Sequence, residues 1–219
     1  MPKMPQAPRS SLLTPLAAQR LNPIFVDRWN DSFRLRTLTP AEVTPEIAEW
    51  LADPAIMEGL NAPRQAMGLD AFRAYVTSFD NLKRSVMAVR RREDDGAVGL
   101  IVLEVDLRHK LGSVHMVVGD PDNRGKRVSL EAMRLLCRMF FRERKLEKLT
   151  FQPLARNLSA IKACENAGLR LEGTLRGHRI DGATGERLDQ LLYALSVEEY
   201  EERSAARVFG TYGGPGIKP

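Results

Sequence analysis

The chain has 219 residues, of which 43% are hydrophobic and 28% are charged, and its formal net charge is +5. These values are typical of an ordinary globular protein of one domain. No apolar run approaches the ~18 residues that a membrane span needs, which argues against a membrane-spanning protein.

The cysteines and histidines do not form a metal-binding pattern. Cys137 and Cys164 lie in helix-like patterns without the spacing of metal ligands, which favours a reducing compartment and predicts a cytoplasmic protein. The three histidines, at positions 109, 115 and 178, are scattered along the chain. We therefore expect no metal cofactor. The modest positive charge permits nucleic-acid binding but suits a polyanionic cofactor equally well.

Both ends of the chain differ in composition from its middle. Residues 1–30 contain no acid before Asp27 and several prolines, which permits a transit peptide but favours an N-terminal extension. Residues 207–219 are rich in glycine and are predicted to be a disordered tail. We predict a single domain over residues 31–206.

The domain is predicted to begin with a strand over residues 32–38, where polar and apolar residues alternate. Thr39 and Pro40 then suit the N-cap and first turn of a helix. We predict an irregular link over residues 53–68, followed by a second helix over residues 69–79. A link between two early helices is a place where a binding pocket can form.

A meander of three strands is predicted next, over residues 85–91, 98–107 and 113–118. The turn between the first two strands ends in Asp-Gly, which is typical of a hairpin. The second strand is long and apolar enough to be central in the sheet.

The third of these strands leads into a basic turn that contains a glycine, residues 123–127, and then into a helix with apolar residues at helical spacing. A strand, a turn and a helix in this order aim backbone N–H groups and the positive end of the helix dipole at an anion. Arg124 and Lys126 add charge suited to phosphate oxygens. The stretch predicts a site for a ligand with two phosphates, and the alternative is a solvated surface turn.

The remaining elements complete an α/β (α+β) domain. They are a strand at 149–152, a helix at 157–167 that Gly168 ends, strands at 169–175 and 188–195, and a charged helix at 197–206. The order β-α-α-β-β-β-α-β-α-β-β predicts a mixed central sheet of about seven strands with helices on both faces.

The basic turn resembles the acetyl-coenzyme A pyrophosphate loop of the GNAT superfamily of N-acetyltransferases, Arg/Gln-x-x-Gly-x-Gly/Ala before a helix. Arg124 matches the first position, whereas Arg127 and Ser129 stand where the two small residues belong. Residues 157–169 and 172–193 resemble two segments of the branch that contains ribosomal-protein-alanine and spermidine N-acetyltransferases. With the order of elements, the resemblance spans about residues 32–200 and implies the GNAT fold.

The resemblance implies acetyl-CoA as a co-substrate and also indicates where it binds. The pyrophosphate would bind at the basic turn, and the pantetheine arm would lie along residues 116–118. Asn157 resembles a residue that binds this arm, with a helix N-cap as the alternative. The implied cofactor-binding residues are Met116, Val117, Val118, Asn123, Arg124, Gly125, Lys126, Arg127, Val128, Ser129 and Asn157.

Three residues are candidates for proton transfer. Glu104 is expected to be buried deeply enough to raise its pKa and to act as the base, with an ion pair to an arginine such as Arg90 as the alternative. His115 is the next candidate for the base. Cys164 stands where many GNAT enzymes have a tyrosine that acts as an acid, with packing in the core as the alternative.

The acceptor is expected to enter between residues 56–61 and the strand end that carries Glu104 and Asp106, because acids attract an ammonium group. The predicted acceptor-binding residues are Glu58, Asn61 and Asp106.

These patterns together predict an acyl-CoA-dependent N-acetyltransferase. It would move an acetyl group from acetyl-CoA to a small-molecule or protein primary amine by direct attack in a ternary complex. We expect a monomer or homodimer without membrane or nucleic-acid partners. A non-catalytic acyl-CoA-binding protein is the alternative, because the chain departs from the catalytic pattern of the family at Arg127, Ser129 and Cys164. A nucleic-acid-associated protein is a third interpretation, which rests on charge alone.

Overall fold

The computed structural model describes residues 22–61 and 67–205. Its strands are β1 (Asp27–Trp29), β2 (Phe33–Thr37), β3 (Arg84–Arg91), β4 (Ala97–Asp106), β5 (Leu111–Val118), β6 (Lys148–Phe151), β7 (Arg170–Ile180) and β8 (Arg187–Ser196). These eight strands form one sheet in the order β1-β2-β3-β4-β5-β6-β8-β7. β5 and β6 run parallel, and the other neighbouring pairs are antiparallel. The predicted mixed sheet is confirmed, with one strand more than the expected seven.

Helices cover both faces of the sheet, as predicted. They are α1 (Pro45–Trp50), α2 (Pro54–Leu60), α3 (Leu69–Thr77), α4 (Val128–Cys137), α5 (Leu158–Asn166) and α6 (Val197–Ala205). A π-helical stretch, Arg138–Glu143, continues α4. Among the described helices, none combines the length and the apolar character that crossing a bilayer requires.

The alternation of side chains along the sheet separates two apolar clusters. α1 and α3 pack with Leu100 of β4 on one face, whereas α4 packs with Ile101 and Leu103 on the other. Neighbouring residues of the central strands therefore face different layers of the molecule.

The first helix does not follow the prediction. Thr39 and Pro40 begin one short 3₁₀ turn, Pro40–Glu42, and α1 starts afresh at Pro45. The backbone of Thr44 is extended, and its hydroxyl accepts a hydrogen bond from the N–H of Ile47 at 3.3 Å. A proline restricts the residue before it to extended conformations, so one continuous helix cannot pass through this point.

The prediction of an irregular link after Asp53 was also wrong for its first half, because residues 54–60 form α2. Asp53 caps this helix by accepting a hydrogen bond from the N–H of Ala55 at 2.9 Å, and Pro54 occupies the first helical position. Asn61 ends it in the left-handed conformation, with φ of 51°. Residues 62–66 of the predicted link lie outside the described residues.

β1 lies in the segment that was predicted to be an N-terminal extension. It pairs with β2, and the guanidinium of Arg28 makes two hydrogen bonds to the carboxylate of Glu143, at 2.8 and 2.6 Å. The amide nitrogen of Asn30 donates to Glu131 of α4 at 3.0 Å. The folded domain therefore begins ahead of residue 31. The predictions for residues 1–21 and 206–219 lie outside the described residues.

The close approach between α1 and the residue after β5 can be tested by substitution. A Cβ added to Gly119 would lie 1.9 Å from the ring of Trp50, which is buried. We expect Gly119→Ala to lower the free energy of unfolding by about 1–3 kcal/mol, because overpacking forces the ring to move. Gly173→Ala is the matched control, since no described atom lies within 4 Å of its added methyl group. Equal urea-unfolding midpoints for the two variants would contradict this packing.

Candidate functional site

The candidate site lies where β5 separates from β6. Their parallel pairing runs from Leu111 with Lys148 to Val114 with Phe151 and then stops, while the pairing of β5 with β4 continues to Val118. Along residues 115–118, no described strand pairs with this edge of β5. Its backbone groups can therefore bind a ligand arm that lies beside the strand, as predicted for residues 116–118.

The side chains of this part of β5 alternate between two environments. Met116 and Val118 pack against the apolar cluster under α4. His115 and Val117 face a cavity on the opposite side of the sheet. One strand therefore borders both the cofactor edge and the cavity.

The basic turn has the predicted layout of strand, turn and helix. Gly125 adopts φ of +72°, which glycine reaches at little cost because it has no Cβ. Within the described residues, no side chain caps the N-terminus of α4. Its first N–H groups, including that of Ser129, are thus left for an anion. The Val128 side chain is buried and anchors the start of the helix in the core.

Arg124 is held in place by an acid from α2. Its guanidinium donates to the carboxylate of Asp53 at 2.5 Å and to the carbonyl oxygens of Gly119 and Val118 at 3.1 and 3.3 Å. The hydrogen bond from Arg124 is the main cause that lowers the pKa of Asp53. An anion at the basic turn therefore has to compete with Asp53 for Arg124.

The other two cations of the turn are solvent-exposed. Lys126 is exposed, and the side chain of Arg127 is 71% exposed. The guanidinium of Arg127 lies 3.5 Å from Glu131, one turn along α4. Arg127 therefore points along the helix and leaves the backbone of the turn uncovered, although it replaces a small residue of the family loop.

Asn123 supports the shape of the turn from within. It is buried, and its amide nitrogen donates to the carboxylate of Asp120 at 2.7 Å. The same carboxylate oxygen accepts a hydrogen bond from Arg91 of β3 at 2.8 Å. Arg91 and Asp120 were not among the predicted site residues. Asp120 before Pro121 is a capping signal that could have identified one of them.

Asn157 caps α5, which confirms the N-cap alternative. Its side-chain oxygen accepts a hydrogen bond from the N–H of Ala160 at 3.1 Å. Its amide nitrogen donates to the carbonyl oxygen of Gly59 at 3.2 Å. Asn157 therefore also holds the C-terminal end of α2.

Asn61 and Glu58, two predicted acceptor-binding residues, lie at this same end of α2. The amide group of Asn61 donates to the carbonyl oxygen of Ile180 at 2.8 Å and accepts from the N–H of Gly182 at 3.1 Å. Both polar atoms of Asn61 thus join α2 to the β7–β8 turn. The Glu58 side chain is exposed, and its carbonyl oxygen accepts from Arg156 at 3.5 Å.

A cavity of about 700 Å³ lies between the sheet, α2 and α3, and we call it the apolar cavity. Most of its lining side chains are apolar: Leu51, Met57, Leu60, Met67, Ala71, Phe72, Val86, Leu100, Val102 and Val117. Among the described residues, three polar side chains also reach it, those of Tyr75, Glu104 and His115. The cavity is therefore an apolar chamber with a few convergent polar groups, which is typical of small-molecule sites.

His115 has the properties of a proton acceptor. His115 is exposed to the apolar cavity, yet the protein atoms around its ring remove part of its hydration, and this desolvation lowers its pKa from 6.5. The nearby charge of Glu104 raises this pKa in part, and that of Arg179 lowers it. The imidazole is therefore neutral near pH 7 and can take a proton.

The expected burial of Glu104 was wrong. Its side chain is about half exposed at 49%, and its carboxylate lies 3.3 Å from the guanidinium of Arg84. The alternative of an ion pair with an arginine is thus confirmed, although Arg84 is the partner and Arg90 pairs with Glu42 and Asp95. Glu104 lies close to the end of β4, where it lines both the apolar cavity and a second, more open polar cavity. Water reaches the carboxylate there, so the burial on which the assignment of Glu104 as the base depended is absent.

Asp106, the third predicted acceptor-binding residue, also faces the polar cavity. Its carboxylate accepts a hydrogen bond from the N–H of His109 at 3.0 Å and contacts the ring nitrogen of that residue at 2.9 Å. Asp106 thus stabilises the exposed turn between β4 and β5.

The buried state of Cys164 favours packing over acid catalysis. Its thiol lies in the core, and burial raises its pKa to about 12. A thiol with this pKa is a weak proton donor near neutral pH.

The described residues contain no group of three or more side chains placed to hold a metal ion.

Comparison with known proteins gives one family match and many similar folds. A family model described as an acetyltransferase (GNAT) domain matches residues 32–170. A GNAT-family acetyltransferase from Bacillus anthracis has a TM-score of 0.70 at 20% identity, covering 80% of this chain and 100% of that chain. Ribosomal-protein-S5-alanine acetyltransferase from Vibrio fischeri has a TM-score of 0.68 at 14% identity, covering 80% and 98%.

A further similar structure is spermidine N-acetyltransferase from Vibrio cholerae in complex with CoA and spermine. Its TM-score is 0.69 at 18% identity, with 78% of this chain and 99% of that chain covered. No curated protein sequence matches the chain significantly. At these identities the solved structures show a shared fold.

The environment of His115 predicts how its titration responds to its neighbours. We expect a pKa below 6.5 in the wild type, measured by NMR from the imidazole resonances. Glu104→Gln should lower it further, because the Glu104 charge favours the protonated ring. Asp106→Asn is the control, since that carboxylate contacts His109, and it should leave the His115 titration unchanged. A wild-type pKa at or above 6.5 would contradict this effect of the surrounding protein on the ring.

Proposed function

This chain belongs to the GNAT acetyltransferase family, and from that premise we propose that it transfers the acetyl group of acetyl-CoA to a primary amine by direct attack in a ternary complex. The family match over residues 32–170 confirms the predicted membership of this family. The observation that carries the proposal is the double role of β5. Beyond Val114 one edge of this strand pairs with no described strand and leads to the basic turn, and its His115 faces the apolar cavity.

The residues of the basic turn fit the pyrophosphate of coenzyme A. The uncapped first turn of α4 offers N–H groups, and Gly125 lets the backbone approach the phosphates closely. Lys126 adds an exposed charge, and Arg124 adds a second one once it leaves Asp53. Acetyl-CoA supplies an activated thioester when it is bound, and the free edge of β5 offers N–H groups that can polarise its carbonyl.

Proton transfer is assigned to His115. An amine arrives as an ammonium ion and must lose a proton before its nitrogen can attack. His115 accepts that proton in its neutral form, and Glu104 on the neighbouring strand stabilises the resulting imidazolium. A C–N bond then forms while the C–S bond breaks. Of the two protons that the nitrogen loses, the one taken by His115 passes on to water, and the other ends on the sulfur.

Direct attack is favoured because the chain has no reactive thiol to carry the acetyl group. Its two cysteines, Cys137 and Cys164, are buried, and burial raises the pKa of each thiol to about 12. A thiol must be a thiolate to act as a nucleophile, so neither is suited to form an acetyl-enzyme.

Because Asp53 competes with a bound phosphate for Arg124, substitutions of the acid and of the cations should change the affinity for coenzyme A in opposite directions. Asp53→Asn should raise the affinity, because it removes the competing charge, and asparagine still caps α2. Replacing Arg124 and Lys126 together by Ala should weaken binding by about 2–3 kcal/mol, because charge-assisted hydrogen bonds to phosphate are lost.

Arg127→Ala is the matched control for calorimetric titration with coenzyme A. It removes a cation of the same turn whose guanidinium points toward Glu131, so its affinity should stay within about twofold of wild type. Unchanged affinity in the double variant would refute binding at the basic turn.

The assignment of the base predicts the pH dependence of the reaction. Because the pKa of His115 is lowered, the acidic limb of kcat/KM should lie below pH 6.5. His115→Gln should reduce kcat by about 10²–10⁴-fold and remove that limb.

Glu104→Gln distinguishes the two candidate bases in the same assay. If His115 is the base, this change moves the acidic limb to lower pH, because it removes a charge that favours the imidazolium. If the limb disappears in Glu104→Gln and persists in His115→Gln, Glu104 is the base instead.

A further inference from the structure

We propose that the acceptor is a monoamine carried on an apolar body, such as an arylalkylamine, and that this body occupies the apolar cavity. This inference rests on the proposed acetyl transfer at the same site and names its substrate class.

The walls of the apolar cavity are suited to a hydrophobic group. Leu100, Val102 and Val117 present aliphatic side chains from the sheet, and Phe72 adds an aromatic ring from α3. Met57 of α2 adds an unbranched, polarisable side chain that can adapt to ligands of different shape. A volume of about 700 Å³ is enough for a drug-sized ligand, whose burial would release water from these surfaces.

The charge in the cavity is suited to a single ammonium group. Among the described lining residues, Glu104 carries the one carboxylate, and Arg84 already neutralises part of its charge at 3.3 Å. A polyamine would place a second or third ammonium among apolar side chains, where no described acid could pair with it. An amino sugar would likewise bury several hydroxyl groups with few partners.

The polar groups also fix the direction in which the amine binds. His115 lies one residue beyond the last pair between β5 and β6, at the start of the free edge where the thioester would lie. Glu104 is its diagonal neighbour on the same face of the sheet, since Val102 is paired with His115. An amine nitrogen between Glu104 and His115 places its apolar body toward α3.

The first experiment compares acceptors with the full-length protein and saturating acetyl-CoA. The panel is 2-phenylethylamine, tryptamine, ethanolamine, spermidine and glucosamine. We expect kcat/KM for 2-phenylethylamine to exceed that for ethanolamine by about 10- to 100-fold, the gain from burying an aromatic group. A higher kcat/KM for spermidine or glucosamine than for both aromatic amines would overturn the inference and leave acetyl transfer intact.

The second experiment fills the cavity from α3. Ala71 lines it, whereas Ala74 lies one turn further along the same helix, is exposed and does not line it. Ala71→Phe should raise KM for 2-phenylethylamine at least about tenfold and leave coenzyme A affinity unchanged. Ala74→Phe carries the same helix-propensity change and should alter neither quantity. Equal KM values for the two variants would overturn the inference.

A binding measurement separates this inference from the transfer reaction. Calorimetry with 2-phenylethylamine and the protein saturated with coenzyme A needs no turnover. Binding that Ala71→Phe weakens supports the cavity assignment, even if no amine of the panel is acetylated and the transfer proposal fails. If hexanoyl-CoA is a better donor than acetyl-CoA and Ala71→Phe reverses that order, the cavity holds an acyl chain and the inference is overturned.

Discussion

The early end of the pairing between β5 and β6 is the constraint on which the rest of the site depends. β5 runs on to Val118, and from residue 115 onward the edge that faced β6 pairs with no strand of the described chain. Because side chains alternate along a strand, two of residues 115–118 pack in the core under α4 and the other two line the apolar cavity. If the pairing of β5 with β6 continued to Val118, this edge would be occupied and could not bind a ligand arm, and only the cavity would remain.

α2 completes the site because it is held at both ends. Asp53 joins its first turn to Arg124 in the basic turn, and Asn61, directly after its last residue, binds the β7–β8 turn. Asn157 adds a hydrogen bond to Gly59 from the start of α5. Three segments that are distant in the sequence therefore fix the wall that carries Met57 into the apolar cavity.

The sequence predicted those features that depend on neighbouring residues. The strand, turn and helix around Gly125, the mixed sheet and the cap at Asn157 all follow local patterns, and the structure has them. The signals for α2 were also local, in Asp53, Pro54 and Asn61, but they were interpreted as an irregular link. The partners of Glu104 and Arg124 could not be predicted, because Arg84 and Asp53 lie 20 and 71 residues away along the chain.

The contacts of β1 have a consequence for how the chain is made. Arg28 pairs with Glu143, 115 residues later, and Asn30 binds Glu131, 101 residues later. A ribosome synthesises the chain from its N-terminus, so the first strand emerges long before these partners exist. During that interval the guanidinium of Arg28 has water in place of the Glu143 carboxylate. β1 can therefore pair with β2 early in synthesis, but its contacts with Glu131 and Glu143 form only after those two residues have been made.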